Sequence, residues 1–287
     1  MLEWQRWTHR VVRDLAWVIA SPPLVTGSFG GVIWWNESFV LAEYKACLPA
    51  LEKLDRDPTP LLDYLDRQSV KALGHRFEAL VGYWLEISPN IELLHQSVQL
   101  HGEGRTLGEL DFILRDKYSQ QVIHLEVAVK FYMGLAPLQD SSRWYGSNLK
   151  DSFSKKINHL KTQQTQLSLQ HPKLLPIPID QRCCCVKGRL FYPENTATDV
   201  TPQGISENHL RGVWGTNVRQ YAETLGAKLI PIAKPQWFAQ FDGADIELFT
   251  EHPIPVMEDA PQCFVMVSDD GELGRYFQYP VGYFKGV

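Results

Sequence analysis

Residues 107–131, LGELDFILRDKYSQQVIHLEVAVKF, constrain the fold more than any other stretch of the chain. LGELDFILRD and VIHLEVAVKFYM alternate side-chain character with a period of two, and the short DKYSQ segment between them has room only for a tight reversal. They read as adjacent antiparallel strands. IELLHQSVQL precedes them and HGEGRT supplies a turn, so a three-stranded meander is expected. Upstream, SVKALGHRFEALVGYWLEIS sets Leu73, Phe77, Leu80, Val81 and Trp84 at helical spacing and stops at Pro89-Asn90. Downstream, LKDSFSKKINHLKTQQTQLSL reads as a long helix with a basic exposed face, and RCCCVKGRLFYP as a fourth strand. Helix, three strands, helix, strand describes an α/β core with a mixed sheet.

The flanks are less regular. Residues 4–19 read as an amphipathic helix, 24–36 as loop, 37–55 and 60–67 as helices, and 196–208 as loop. LRGVWGTNVRQYAETLGA reads as helical in its second half, and the tail from 228 as short strands and loops with a turn at Ser268–Gly271. This divides the chain into an N-terminal helical segment (1–70), a core (71–195) and a C-terminal α+β extension (196–287), expected to form one compact unit. A length of 287 residues with 44% apolar content is enough for a sizeable core. The net charge of −5 argues against a broadly basic nucleic-acid surface and leaves room for a local basic cleft. The five cysteines are odd in number and three are consecutive, pointing to alternate faces of one strand; they read as reduced, packed thiols. No signal peptide or membrane span is seen, so a cytoplasmic setting without a membrane partner is expected.

Strand alternation sorts the charges. Leu107, Glu109, Asp111 and Ile113 share one face of the second strand; His124, Glu126, Ala128 and Lys130 share one face of the third. On neighbouring strands Asp111 and Glu126 converge, and converging carboxylates call for protonation or a cation. Hard oxygen ligands suit Mg²⁺ or Mn²⁺. Two acids, such a metal and a lysine suit phosphodiester hydrolysis, in which cations offset the charge that develops on phosphorus. The competing reading is a half-buried sheet with a solvated face. Glu126 and Lys130 are separated by ~13 Å of strand, too far for that acid to be neutralised by its nearest lysine. His124 reads either as a proton shuttle or as an ordinary strand histidine.

Gly108-Glu109-Leu110-Asp111 followed by Leu125-Glu126-Val127 resembles the "GEID … EVK" signature of PD-(D/E)XK nucleases. HLEVAVKFY, WYGSNLKDSFSKK, KGRLFYP and LAWVIASPPL resemble the bacterial family of unknown function numbered 1853, which is grouped with that fold. The resemblance implies a restriction-endonuclease-like αβββαβ core and an endo- or exonuclease acting on nucleic acid with Mg²⁺ or Mn²⁺. It implies Asp111, Glu126 and Glu78 as metal ligands, with the Val127 carbonyl as a further one, and Asp111, Glu126 and Lys130 as catalytic residues. Glu109, His124, Lys156 and Gln163 are accessory candidates, the last two lying seven apart on one helix face. The chain departs from the family pattern at Ala128, which stands where the signature has lysine; Lys130 lies ~7 Å further along the strand. The alternative is a nuclease scaffold kept as a non-catalytic platform for nucleic acid or a protein partner.

Overall fold

The structure, a computed structural model, describes residues 3–68, 72–102, 104–194, 196, 200–257 and 259–284. The chain opens with helix α1 (Arg10–Ala20), the small hairpin β1 (Gly27–Phe29) and β2 (Val32–Trp34), and helices α2 (Glu37–Arg56) and α3 (Thr59–Arg67). The central part runs α4 (Leu73–Ile87), β3 (Ile91–Gly102), β4 (Arg105–Asp116), β5 (Val122–Gly134), β6 (Trp144–Gly146), α5 (Phe153–Thr162), the single turn α6 (Leu167–Gln170) and β7 (Gln181–Pro193). The last part adds β8 (Leu210–Gly215), α7 (Val218–Leu225), β9 (Lys228–Ile232), α8 (Gly243–Glu251), β10 (Gln262–Ser268) and β11 (Gly271–Gln278).

All of these strands belong to one mixed sheet, in the order β3-β4-β5-β7-β8-β11-β10-β9, with β1, β2 and β6 attached at its sides. The meander β3-β4-β5 is antiparallel, and β7 returns parallel to β5. A parallel return needs a crossover, and α5 and α6 supply it. The C-terminal strands extend the same sheet, because β8 pairs with β7 and β11 with β8.

Burial explains the layering. Ile123, Leu125 and Val127 of β5 join Cys183 and Cys185 of β7 in the main core beneath α1, α2 and α4. Ala128, Tyr132, Cys184 and Val186 face the other way, against Phe153, Ile157 and Leu160 of α5. The buried strands therefore carry apolar residues on both faces, as a sheet covered on both sides requires. Phe77, Leu80 and Trp84 fix α4 to the core, each worth about 1.5–3 kcal/mol of burial; Pro89 stops the helix by holding Ser88 extended (ψ 128°). All five cysteines are free and buried.

Several expectations change. The helix expected over 4–19 is a short turn at Glu3–Arg6 followed by α1, because the amides of Thr8 and His9 turn aside to the Asp55 carboxylate. Residues 24–36 are not all loop: Val32 and Trp34 are buried and Ile33 exposed, and β2 pairs with Arg182–Cys184 of β7. Three alternating residues are too few to see in sequence. The helix expected through 167 ends at Thr162, and α8 lies in the tail expected to hold only strands and loops. Gln163 is thereby no longer on a helix face shared with Lys156. The strict alternation expected on β4 also fails: Phe112 and Leu114 enter the main core, while Leu110 packs with Ile113 on the other side. Ser97, between the Gln96–Phe112 and Val98–Leu110 pairs, has φ 53°, a left-handed conformation at the level of Asp111. Residues 69–71 of the expected helix, Glu103 of the expected turn and residues 197–199 of the expected loop lie outside the described residues.

Candidate functional site

Regular pairing between β4 and β5 runs from Arg115 opposite Val122 to Phe112 opposite Leu125. The next step along brings Asp111 and Glu126 together, and there side chains take over from the ladder. The Val127 amide donates to Asp111 Oδ2 at 2.8 Å, and the Asp111 amide lies 3.4 Å from Glu126 Oε1. The strands thus part around the two acids and hold them in place.

The crossover closes over this point. Gly108 lets it approach, since a Cβ there would stand 2.6 Å from Leu167 Cδ1. Gln164, in the short turn after α5, donates to Glu126 Oε2 at 2.9 Å, and Lys156 of α5 donates to Gln164 Oε1 at 2.9 Å. His124 bridges Ser168 Oγ at 2.8 Å and Glu126 Oε1 at 2.7 Å. His124 and Glu126 are both 0% exposed, so this face of β5 is not solvated.

Burial sets the electrostatics. It pushes the Glu126 carboxyl up to about 8, against the pull of the Asp111 amide and of Lys156. Burial and then the neighbouring Glu126 raise Asp111 to about 7. Glu78, half-buried on α4, rises to about 7 through burial and then Asp111. Burial lowers His124 to about 4, so it is neutral at pH 7. Lys156 is lowered by burial and by the nearby Lys130, while Asp111 and Glu126 pull it back up. Three carboxyls and one ammonium thus share a poorly hydrated space, which favours protons or a cation on the acids.

Among the expected site residues, Asp111, Glu126, Glu78, His124 and Lys156 come together. Lys130 goes elsewhere: its ammonium pairs with Asp151 Oδ2 at 2.7 Å, where the Tyr132 hydroxyl also donates at 3.0 Å. Ala128, in the usual lysine place, is buried against α5. Glu109 is exposed and accepts from Gln99 at 3.3 Å. Gln163 caps the end of α5 and is exposed; Gln164 takes the inward place because the backbone kinks at 163 (φ −125°, ψ −71°). Gln164, Ser168 and Asp151 carry no sequence signal that marks them as site residues. A polar Gln-Gln pair does not reveal which member turns inward.

Among the described residues, no three His, Cys, Asp or Glu side chains form a ready metal-binding group. Both Glu126 oxygens already have protein hydrogen-bond partners, His124 and Gln164. Glu78 has no hydrogen bond among the described residues, and Asp111 uses only Oδ2. The donor chemistry fits a hard divalent ion, and Glu126 would have to exchange a protein partner for it.

No helix among the described residues is long and apolar enough to cross a membrane. No curated protein and no solved structure matches the chain. The model of a domain of unknown function, DUF1853, matches residues 13–256, a span that includes most of α1, the whole split-strand site and α8, and the chain belongs to that family.

Proposed function

We propose that this protein is a metal-dependent phosphodiester hydrolase of the PD-(D/E)XK type acting on nucleic acid. The observation that carries the reading is the meeting of Asp111 and Glu126 where β4 and β5 part, with the Lys156 ammonium tied to Glu126 through Gln164. The order α4-β3-β4-β5-α5-β7 supports the restriction-endonuclease-like core. Asp111 and Glu126, with Glu78 assisting, would hold Mg²⁺ or Mn²⁺, which when bound polarises the phosphate and acidifies a water. Lys156 takes the part expected of Lys130: it is the cation next to the acids, placed to offset charge growing on the phosphate oxygens. Gln164 orients both Lys156 and Glu126. His124 holds the second Glu126 oxygen as a neutral hydrogen-bond partner.

Calorimetry with Mn²⁺ and Mg²⁺, paired with cleavage assays on single- and double-stranded DNA and RNA, tests this. Wild type is expected to bind the ion and cleave at least one substrate. Asp111→Asn and Glu126→Gln are expected to weaken ion binding at least tenfold, or about 1.4 kcal/mol, and to abolish cleavage. Equal ion binding by the double variant would sink the proposal. The second reading, a non-catalytic platform, is favoured by Ala128 and by the protein partners on both Glu126 oxygens. Nucleic-acid binding without cleavage under any divalent ion selects it.

A further inference from the structure

Next to the acid cluster lies a cavity of about 580 Å³ that the residues above do not use. Among the described residues, its charged lining is Arg76, Lys130, Lys234 and a single carboxylate, Asp151. In a chain of net charge −5 this is a local reversal of sign. The first turn of α4 also borders it, through Leu73 and Gly74. Ala72, the residue before that turn, offers no side-chain cap, and the first amide to find a helical acceptor is that of Arg76. The preceding amides therefore have no acceptor within the helix, and Gly74 has no side chain to cover them. Trp237 lines the cavity and is 7% exposed, with its indole nitrogen itself buried away from solvent. Arg76 also meets the Asp14 carboxylate at 3.4 Å and Lys130 meets Asp151, which leaves Lys234 and the first amides of α4 as donors open to an incoming anion.

The cavity shares α4 and β5 with the acid cluster, although none of Glu78, Asp111, Glu126 and Lys156 lines it. Glu78 lies one helical turn beyond Gly74, and Lys130 and Asp151 of the cavity wall both act on Lys156. We propose that the cavity is a phosphate-binding subsite, holding a phosphate ester of a nucleic-acid strand beside the acid centre. The strand's identity rests on the nuclease reading; the anion preference rests on the cavity alone. Lys130 would exchange Asp151 for the phosphate, which gives its displaced position a use.

The test is binding of a labelled short single-stranded oligonucleotide by fluorescence anisotropy, in EDTA so that no cleavage intervenes, across a salt series. Lys234→Glu alters an exposed side chain and is expected to weaken binding at least tenfold and to flatten the slope of log K against log salt by about 0.7. Asp151→Asn frees Lys130 and is expected to tighten binding several-fold. Asp269→Asn, an exposed acid elsewhere, is the control and should change nothing. Absence of wild-type binding, or unchanged affinity and slope in both test variants, overturns the proposal. Preference for a 5′-phosphorylated over a 5′-hydroxyl strand assigns a terminal phosphate to the subsite, and equal binding assigns an internal diester. A nucleoside monophosphate binding as tightly as either strand overturns the strand. The two readings fail separately: shifted binding without divalent-dependent cleavage removes only the nuclease, and cleavage with unshifted binding removes only the subsite.

Discussion

Two of the charge clusters in this fold, one at the α1–α8 contact and one at the split between β4 and β5, are balanced differently. Between α1 and the start of α8, Arg13 lies between Asp242 at 2.5 Å and Asp245 at 2.7 Å. Arg10 meets Asp245 at 3.0 Å and Asp14 at 3.4 Å, and Arg76 meets Asp14 at 3.4 Å. Three carboxylates there face three guanidiniums. At the split between β4 and β5, three carboxyls face the ammonium of Lys156, with His75 beside Glu78 and His124 beside Asp111. The first group joins residues more than two hundred positions apart and needs nothing further. The second is left short of positive charge, a condition that typically marks a site rather than a structural clamp.

Removing charge from each group should separate them most sharply. Arg13→Met leaves Asp242 without its guanidinium and Asp245 with Arg10 alone, and is expected to cost about 3–5 kcal/mol in urea unfolding, as for other broken buried pairs. Glu126→Gln keeps the shape and can still bond His124 and Gln164 after a change of histidine tautomer. Its expected effect on stability is within about 1 kcal/mol. Equal losses in the two variants would make the acid cluster structural and erase the contrast.

The pH dependence is the next largest effect. The Asp111, Glu78 and Glu126 carboxyls titrate higher in the folded chain than in the unfolded one, so the native state binds more protons between their unfolded values and about 8. These carboxyls make stability fall as pH rises through that window, while His124, lowered to about 4 from 6.5, opposes the fall at its acid end. In EDTA a loss on the order of 2 kcal/mol is expected from about pH 5.5 to about pH 8.5. A carboxyl that keeps its proton through one further pH unit on folding contributes about 1.4 kcal/mol, and coupling among the acids reduces the total. The Asp111→Asn, Glu126→Gln double variant should flatten the curve. Mg²⁺ should restore stability to wild type at the upper end, by about 2.7 kcal/mol when the ion is at a hundred times its Kd. A wild-type curve that rises over the window would show that the acids are not the controlling groups.

What the sequence disclosed follows the range of the interactions. The meander, α4 and the parallel return rest on local periodicity, and the placing of Asp111 opposite Glu126 follows from it. The break in β4 alternation lies at the level of Ser97, a residue on the partner strand whose identity does not announce a positive φ. The lysine was legible only as an offset: Lys130 shares the parity of Glu126 yet pairs with Asp151, which the β6–α5 connection delivers. Lys156 stands near the acids because α5 packs Phe153, Ile157 and Leu160 into the sheet, which turns the intervening side toward β5. Helical spacing predicts such a face but not what it covers. Likewise, the arginine–aspartate clamp couples α1 to α8 across the whole chain, and nothing in either segment alone names its partner.

The smallest predicted effect sharpens the contrast at the level of single cations. Lys130 and Lys156 lie close enough to repel each other, but Lys130 has its own carboxylate and Lys156 shares two. Lys130→Ala removes a partly exposed pair and should change stability by about 1 kcal/mol or less. It should leave the pH at which stability declines where it is, or lower it slightly, because Asp151 then becomes available to Lys156. Lys156→Ala should also cost little overall, yet it withdraws the ammonium that acts on both Asp111 and Glu126, so their carboxyls hold protons to higher pH and the decline shifts upward. The two variants are thus distinguished by the position of the curve rather than by its height. If both shift it alike, the acids feel a diffuse positive field and not a placed ammonium, and Lys156 loses its claim to the role that the displaced Lys130 leaves open.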